Sequence, residues 1–177
     1  TGIVSVPPGT TAGVYVINYK LCEKLNPTNC KETLITVAIA GIDVVKAVGI
    51  PLQVGKGKFE IPYSVVVGNV GTVTTYNVQA NDNLVATYPA PATFVIKAGS
   101  YSATPTGGTC TGNASFNGAS DTRLLAGTDD FAYGNSCEIR FTVVVDYGSN
   151  PRPAALFNNA LASGMGTDSP SANAGYT

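Results

Sequence analysis

The run Cys137-Glu-Ile-Arg-Phe-Thr-Val-Val-Val-Asp-Tyr147 alternates with a period of two. One face carries Cys137, Ile139, Phe141, Val143 and Val145, and the other carries Glu138, Arg140, Thr142 and Asp146. Successive side chains of a strand point to opposite sides of a sheet, so this pattern describes a strand with one buried and one wetted face. A helix would space its apolar residues three and four apart. The alternation recurs in Phe59-Glu-Ile-Pro-Tyr-Ser-Val-Val-Val67, where Phe59, Ile61, Tyr63, Val65 and Val67 share a side. Further strand candidates are Val14–Cys22, Thr33–Ile39, Ile42–Ala47, Val73–Ala80, Ala92–Lys97 and Ala155–Ser163. Pro7-Pro8-Gly9, Val54-Gly-Lys-Gly57, Asn69-Val-Gly71, Pro105-Thr-Gly-Gly108 and Tyr147-Gly-Ser-Asn-Pro151 punctuate them as turns. Only Ala154–Ala162 imitates a helix, and its Asn158-Asn159 centre forms helix poorly. Pro62, inside a strong strand, points to an edge position or a bulge. The chain therefore reads as all-β and antiparallel, and a β-sandwich buries one face of each such strand.

The strands divide the chain unequally. Residues 41–177 hold enough of them for one sandwich. Residues 1–40 hold two long strands, a short third at Ile3–Val6, and a cysteine-flanked tip. About forty residues do not build a stable core alone. Val14, Val16, Ile17, Leu34, Ile35, Val37 and Ile39 must therefore pack on something else. Three partners are open: the chain's own sandwich, a module preceding Thr1, or a neighbouring subunit.

Composition narrows the chemistry. With no histidine there is no Ser-His-Asp or Cys-His machinery and no His-ligated zinc or haem. Charged residues make up 12% of the chain, about half the usual share. A net charge of -1 offers no electrostatic footing on nucleic acid or an anionic membrane. No apolar run approaches the length of a membrane span, and no basic, hydrophobic leader is present, so a secretion signal is expected to be removed or to lie outside this stretch.

Cys22, Cys30, Cys110 and Cys137 form no CxxC and allow three pairings. Their even number favours disulfides and an oxidising compartment over four buried thiols. A Cys22–Cys30 bridge would close about nine residues and contribute roughly 2.5 kcal/mol; Cys110–Cys137 would close about 28 and contribute roughly 3.5 kcal/mol.

Tyr63-Ser-Val-Val-Val-Gly-Asn-Val-Gly-Thr-Val-Thr-Thr-Tyr-Asn-Val-Gln-Ala-Asn-Asp-Asn-Leu84 resembles the conserved repeat domain of bacterial and archaeal surface proteins. Tyr63, Val67, Asn69, Gly71, Asn77, Val78, Asp82 and Leu84 match its pattern, whereas Val85 stands where proline is usual and Ala80 where a β-branched residue is usual. Phe157-Asn-Asn-Ala160 resembles the family's closing strand, so the likeness spans about residues 42–165. Gly13-Val-Tyr-Val-Ile-Asn-Tyr-Lys-Leu-Cys-Glu23 with Asn26-Pro-Thr-Asn-Cys30 resembles the final hairpin of modules found beside that repeat. The resemblance implies an immunoglobulin-like sandwich with an additional N-terminal β-hairpin. It also implies a stalk or fibre role without common catalytic residues.

The remaining constellations are weighed against plain structural roles. Asn69-Val-Gly71 reads as a turn in which glycine supplies positive φ. Asp82 reads as a turn cap, with calcium ligation alongside Asn81 and Asn83 as the functional alternative. Otherwise no cofactor is expected. Asp121, Asp129 and Asp130 read as solvated loop residues with metal binding as the alternative. Val54-Gly-Lys56-Gly-Lys58 reads as a flexible basic loop, since it lacks the setting of a phosphate loop. Lys46, Lys56 and Lys58 are candidates for an intramolecular isopeptide link to a buried Asn or Asp. The nine tyrosines suit a core or interface better than a sugar-binding platform.

The reading expected is a non-enzymatic subunit or module of an extracellular surface filament or adhesin. Its partners would be copies of itself, head to tail, or neighbouring modules. Val14, Tyr15, Val16, Ile17, Tyr19 and Leu21 are the candidate inter-subunit strand. The alternative is an adhesive module recognising a glycan, a host protein or ice. For ice, Thr72, Thr74 and Thr75 are too few for a regular array. An enzyme would need a carboxylate pair or a nucleophile with its base, and neither is visible.

Overall fold

A computed structural model describes residues 3–7, 10–165 and 171–176. Its strands are β1 (Gly13–Cys22), β2 (Cys30–Ile39), β3 (Ile42–Val48), β4 (Leu52–Gly55), β5 (Lys58–Asn69), β6 (Tyr76–Asp82), β7 (Thr93–Ile96), β8 (Ser102–Thr106), β9 (Ser136–Asp146), β10 (Leu156–Met165) and β11 (Ser171–Tyr176), with one helical turn, α1 (Leu84–Thr87), after β6. One layer runs β3-β5-β9-β7, with β4 also paired to β5 and β8 to β9; the other runs β11-β10-β6. Setting aside the short β4 and β8, the first, second, fifth and fourth strands of the sandwich face the seventh, sixth and third. That is the connectivity of a constant-type immunoglobulin domain. The chain is therefore an antiparallel, immunoglobulin-like sandwich preceded by a hairpin, β1-β2, which forms a separate two-stranded sheet.

The core sits where the period-two pattern places it. Ile61, Tyr63, Val65 and Val67 of β5 lie beside Cys137, Ile139, Phe141 and Val143 of β9, all buried. Each large apolar side chain so buried contributes about 1.5–3 kcal/mol. Tyr63 stacks on Phe141 at 5.6 Å between ring centres, and Phe116 meets Phe141 edge-on at 5.1 Å. Val78 and Ala80 of β6, with Leu156, Ala160 and Ala162 of β10, close the core from the opposite layer.

The long connection from β8 to β9 is ordered by use. It lies along the edge of β6 that β10 leaves free: Thr75 and Phe131 exchange backbone hydrogen bonds, Val78 N–H donates to Asp129 O, and Leu124 N–H donates to Ala80 O. The Gln79 side chain receives Leu125 N–H and donates to Leu125 O. Phe116, Leu124, Leu125 and Phe131 sink into the core, and a Cys110–Cys137 disulfide ties the segment's start to β9. An unpaired sheet edge is thereby covered.

Several expectations need correction. Pro62 is neither at an edge nor in a bulge, because β5 lies between β3 and β9. Its partner Thr142 turns both backbone groups away from β5, donating to Ser100 Oγ and accepting from Lys97 N–H. The proline nitrogen therefore faces the other side, where β3 ends at Val48 and β4 begins only at Leu52. There Gly49 N–H donates to Pro62 O at 2.8 Å, and no ladder bond is lost. Gly71 does not have positive φ. Its requirement is close approach: a methyl there would lie 2.4 Å from Gly41 N. The Asn69 side chain builds this turn, accepting from Gly71 N–H and donating to Val73 O and Phe131 O. It holds Val73 in the turn, so β6 starts at Tyr76 rather than Val73. Val54–Lys58 is the tight tip of the β4-β5 hairpin rather than a flexible loop. Ile3–Val6 forms no strand.

Gly71→Ala should force the Gly41 and Gly71 backbones apart. A loss of about 1–3 kcal/mol is expected, read as a lower urea midpoint at unchanged slope.

Candidate functional site

Two features stand out from the sandwich: the isolated hairpin, and a buried polar cluster between the layers.

In the hairpin, β1 and β2 pair over their full length from Gly13↔Ile39 to Cys22↔Cys30. The Cys22–Cys30 disulfide closes the tip. The six candidate interface residues all lie on β1, and Val14, Tyr15, Val16, Ile17, Tyr19 and Leu21 oppose Ala38, Val37, Thr36, Ile35, Thr33 and Lys31. One edge of β1 is thus taken by β2. Among the described residues, no ladder joins the outer edge of β1 or of β2 to another strand. Alternation puts Tyr15, Ile17, Tyr19 and Leu21 on one face with Ile35, Val37 and Ile39. The opposite face is mixed, carrying Val14, Val16 and Leu34 beside a surface ion pair of Lys20 with Glu32. Val16, Leu21 and Leu34 are each 60% exposed or more. A two-stranded hairpin with its apolar side chains this open is marginal in water.

The second feature breaks the inward-facing pattern of three strands at once. Lys46 follows Ile42 and Val44 on the inner face of β3; Asp82 follows Val78 and Ala80 on β6; Asn158 sits between Leu156 and Ala160 on β10. Lys46 Nζ donates to Asp82 Oδ2 at 2.5 Å, with both side chains wholly buried. Asn158 Nδ2 donates to the same oxygen at 3.2 Å, and Thr87 Oγ1 donates to Asn158 Oδ1 at 2.8 Å. Asp82 Oδ1 is buried without a hydrogen-bond partner. Lys46 Nζ also lies 5.1 Å from the centre of the Tyr63 ring, whose hydroxyl meets that of Tyr88 at 2.7 Å. Burial pushes the Lys46 amine down from its ordinary value and the Asp82 carboxyl up from its own, each against the pull of the other's charge. Both shifts favour the neutral forms.

The Asp82 side chain is thus not a turn cap: its carboxylate takes Lys46 and Asn158 inside the core. Asn83 caps α1, accepting from Val85 and Ala86 N–H. Lys46 was a sequence candidate for an isopeptide link; Lys56 and Lys58 lie instead at the β4-β5 tip. The cluster was readable in principle, because a lysine, an aspartate and an asparagine each fall on an apolar face. Asn158 reads in the sequence only as part of a closing strand and Thr87 carries no signal, since nothing in the sequence brings β10 and α1 to Asp82.

The loop carboxylates have structural work. Asp129 receives Thr111 N–H at 2.6 Å, Asp130 receives Asn77 N–H at 3.0 Å where Asn77 has φ of 52°, and Asp121 is gripped by Arg123 and Asn113. Those contacts hold the Asp121 carboxyl below the usual carboxylate range. Among the described residues no three His, Cys, Asp or Glu groups converge as a metal site would require. Tyr63, Tyr88 and Tyr147 are core residues, Tyr101 bonds Leu124 O, and the exposed Tyr15, Tyr76 and Tyr133 lie on separate elements. The Tyr176 side chain lies outside the described residues. No described helix is long and apolar enough to cross a membrane.

No family model and no curated protein matches the chain. Among solved structures, a family 123 glycoside hydrolase from Clostridium perfringens aligns at 10% identity and a TM-score of 0.31, over 65% of this chain and 21% of that one. The chain thus spans about a fifth of that enzyme's length. An uncharacterised β-sandwich protein from Clostridium difficile aligns over 97% of this chain and 99% of its own, at 9% identity and a TM-score of 0.22. Neither likeness carries an argument about function.

Amides of β1 and β2 should exchange with deuterium much faster than those of β5 and β9 in the isolated chain, and faster still once Cys22–Cys30 is reduced. Equal protection across both sheets would contradict the hairpin's independence.

Proposed function

We propose that the chain is a non-enzymatic structural module of an extracellular surface filament or adhesin, joined end to end with like modules through its N-terminal hairpin. The observation that carries this reading is the hairpin itself: among the described residues its two outer edges are unpaired, and its apolar face is half-exposed, with Tyr15, Ile17 and Leu21 open to solvent. Such edges are templates for strand addition. A strand of ten residues laid along one of them gains ladder hydrogen bonds at about 0.5–1.5 kcal/mol each, and covering the face adds about 25 cal/mol per Å² of apolar area. A head-to-tail contact of this kind propagates without closing. The occupant is another immunoglobulin-like module: a copy of this chain or a neighbour in a longer polypeptide. Two disulfides suit an oxidising, extracellular setting. The resemblance to surface-protein repeats points the same way.

Sedimentation and negative-stain electron microscopy test this on the full chain. Concentration-dependent linear oligomers are expected, and Ile17→Asp with Val37→Asp should return them to monomers without changing the sandwich's melting. A chain that stays monomeric at every concentration, alone and mixed with tandem modules, would contradict the proposal.

A further inference from the structure

The buried cluster has the parts of a self-linking site. Three groups from three strands meet at one carboxylate: Lys46 Nζ and Asn158 Nδ2 both contact Asp82 Oδ2, at 2.5 and 3.2 Å. The amine and the side-chain amide are thus held beside each other by a single oxygen, and all three side chains are buried. We propose that Lys46 Nζ and Asn158 Cγ join in an intramolecular isopeptide bond, with Asp82 as the proton carrier and ammonia as the leaving group.

The step balances without any added reagent. Asp82 takes a proton from the Lys46 ammonium, leaving a free amine and a carboxylic acid. The amine lone pair attacks Asn158 Cγ, and the carbonyl π pair moves onto Oδ1, where the Thr87 hydroxyl already donates at 2.8 Å. Asp82 gives its proton to Nδ2, the pair on Oδ1 returns to re-form the carbonyl, and the Cγ–Nδ2 bond breaks with its electrons staying on the departing ammonia. Nζ, now in an amide, returns its extra proton to Asp82. One C–N bond has formed, one has broken, and the acid is regenerated.

The environment favours this course over a permanent ion pair. A buried pair must offset the cost of desolvating both charges, and apolar residues often do as well. Here the compensation is incomplete, because Asp82 Oδ1 has no partner. Burial in the apolar surroundings of Tyr63 lowers the amine's affinity for its proton and raises the carboxyl's, the forms the attack requires. The product removes the lysine charge from the core. The link would tie β3, which opens the sandwich, to β10, next to its last strand. Tension between those strands would then pass through a covalent bond instead of ladder hydrogen bonds. The chemistry holds whether or not the module polymerises, so its test is separate from that of the proposed function.

The test is the mass of the full chain after reduction and unfolding, followed by peptide mapping. The expected result is a chain one ammonia lighter than its sequence, and a branched peptide joining Lys46 to Asn158. Asp82→Asn and Asn158→Ala should restore the full mass. If either fails to fold, Thr87→Val supplies the second measurement: bond formation in freshly made protein should slow roughly a hundredfold, the usual cost of losing one oxyanion donor. A wild-type chain of full mass would overturn the proposal. So would ammonia loss without the branched peptide, the signature of an asparagine succinimide.

Discussion

The Lys46–Asp82 contact is the constraint around which the sandwich is arranged. It joins two strands that share no ladder, one from each layer, and both side chains lie wholly out of water. A buried polar group is tolerated only when its partners are fixed in place. Register must therefore be held on β3, β6 and β10 together. A one-residue slip in any of them would turn its polar member outward and leave the others unpaired. The Asn69 turn, the close Gly41–Gly71 approach and the covered edge of β6 all serve to hold those registers.

Around that cluster the chain divides its edges in two ways. In the sandwich, the β8-β9 connection lies along β6 and is stapled by Cys110–Cys137. In the hairpin, among the described residues, both outer edges are open and the apolar face is half-exposed, so the same backbone chemistry that is capped in one sheet is available in the other. That contrast between a covered and an open edge is the physical basis of the modular role proposed above.

Much of this was legible in the residues. Period-two runs mark β5 and β9 and their inward residues, and the even cysteine count favours disulfides while leaving three pairings open. What escaped has physical causes. β4 is exposed at every position, so no alternation marks it. β8 contains Pro105, and β11 is built of small residues such as Ala172, Ala174 and Gly175. Pro62 misled because a proline's tolerance depends on where the neighbouring strand ends, which is a tertiary fact. The polar cluster is half visible: Lys46 reads as an isopeptide candidate and Asp82 as a turn cap, but their meeting with Asn158 and Thr87 depends on how the two layers stack.

An atomic-resolution crystal structure tests the central claim most directly, because it shows the electron density between Lys46 and Asn158. The account predicts continuous density from Nζ to Cγ at an amide bond length of about 1.33 Å, with no nitrogen other than Nζ on that carbon. Separate Lys46 and Asn158 side chains at van der Waals distance, each hydrogen-bonded to Asp82 with no density joining Nζ to Cγ, would contradict it.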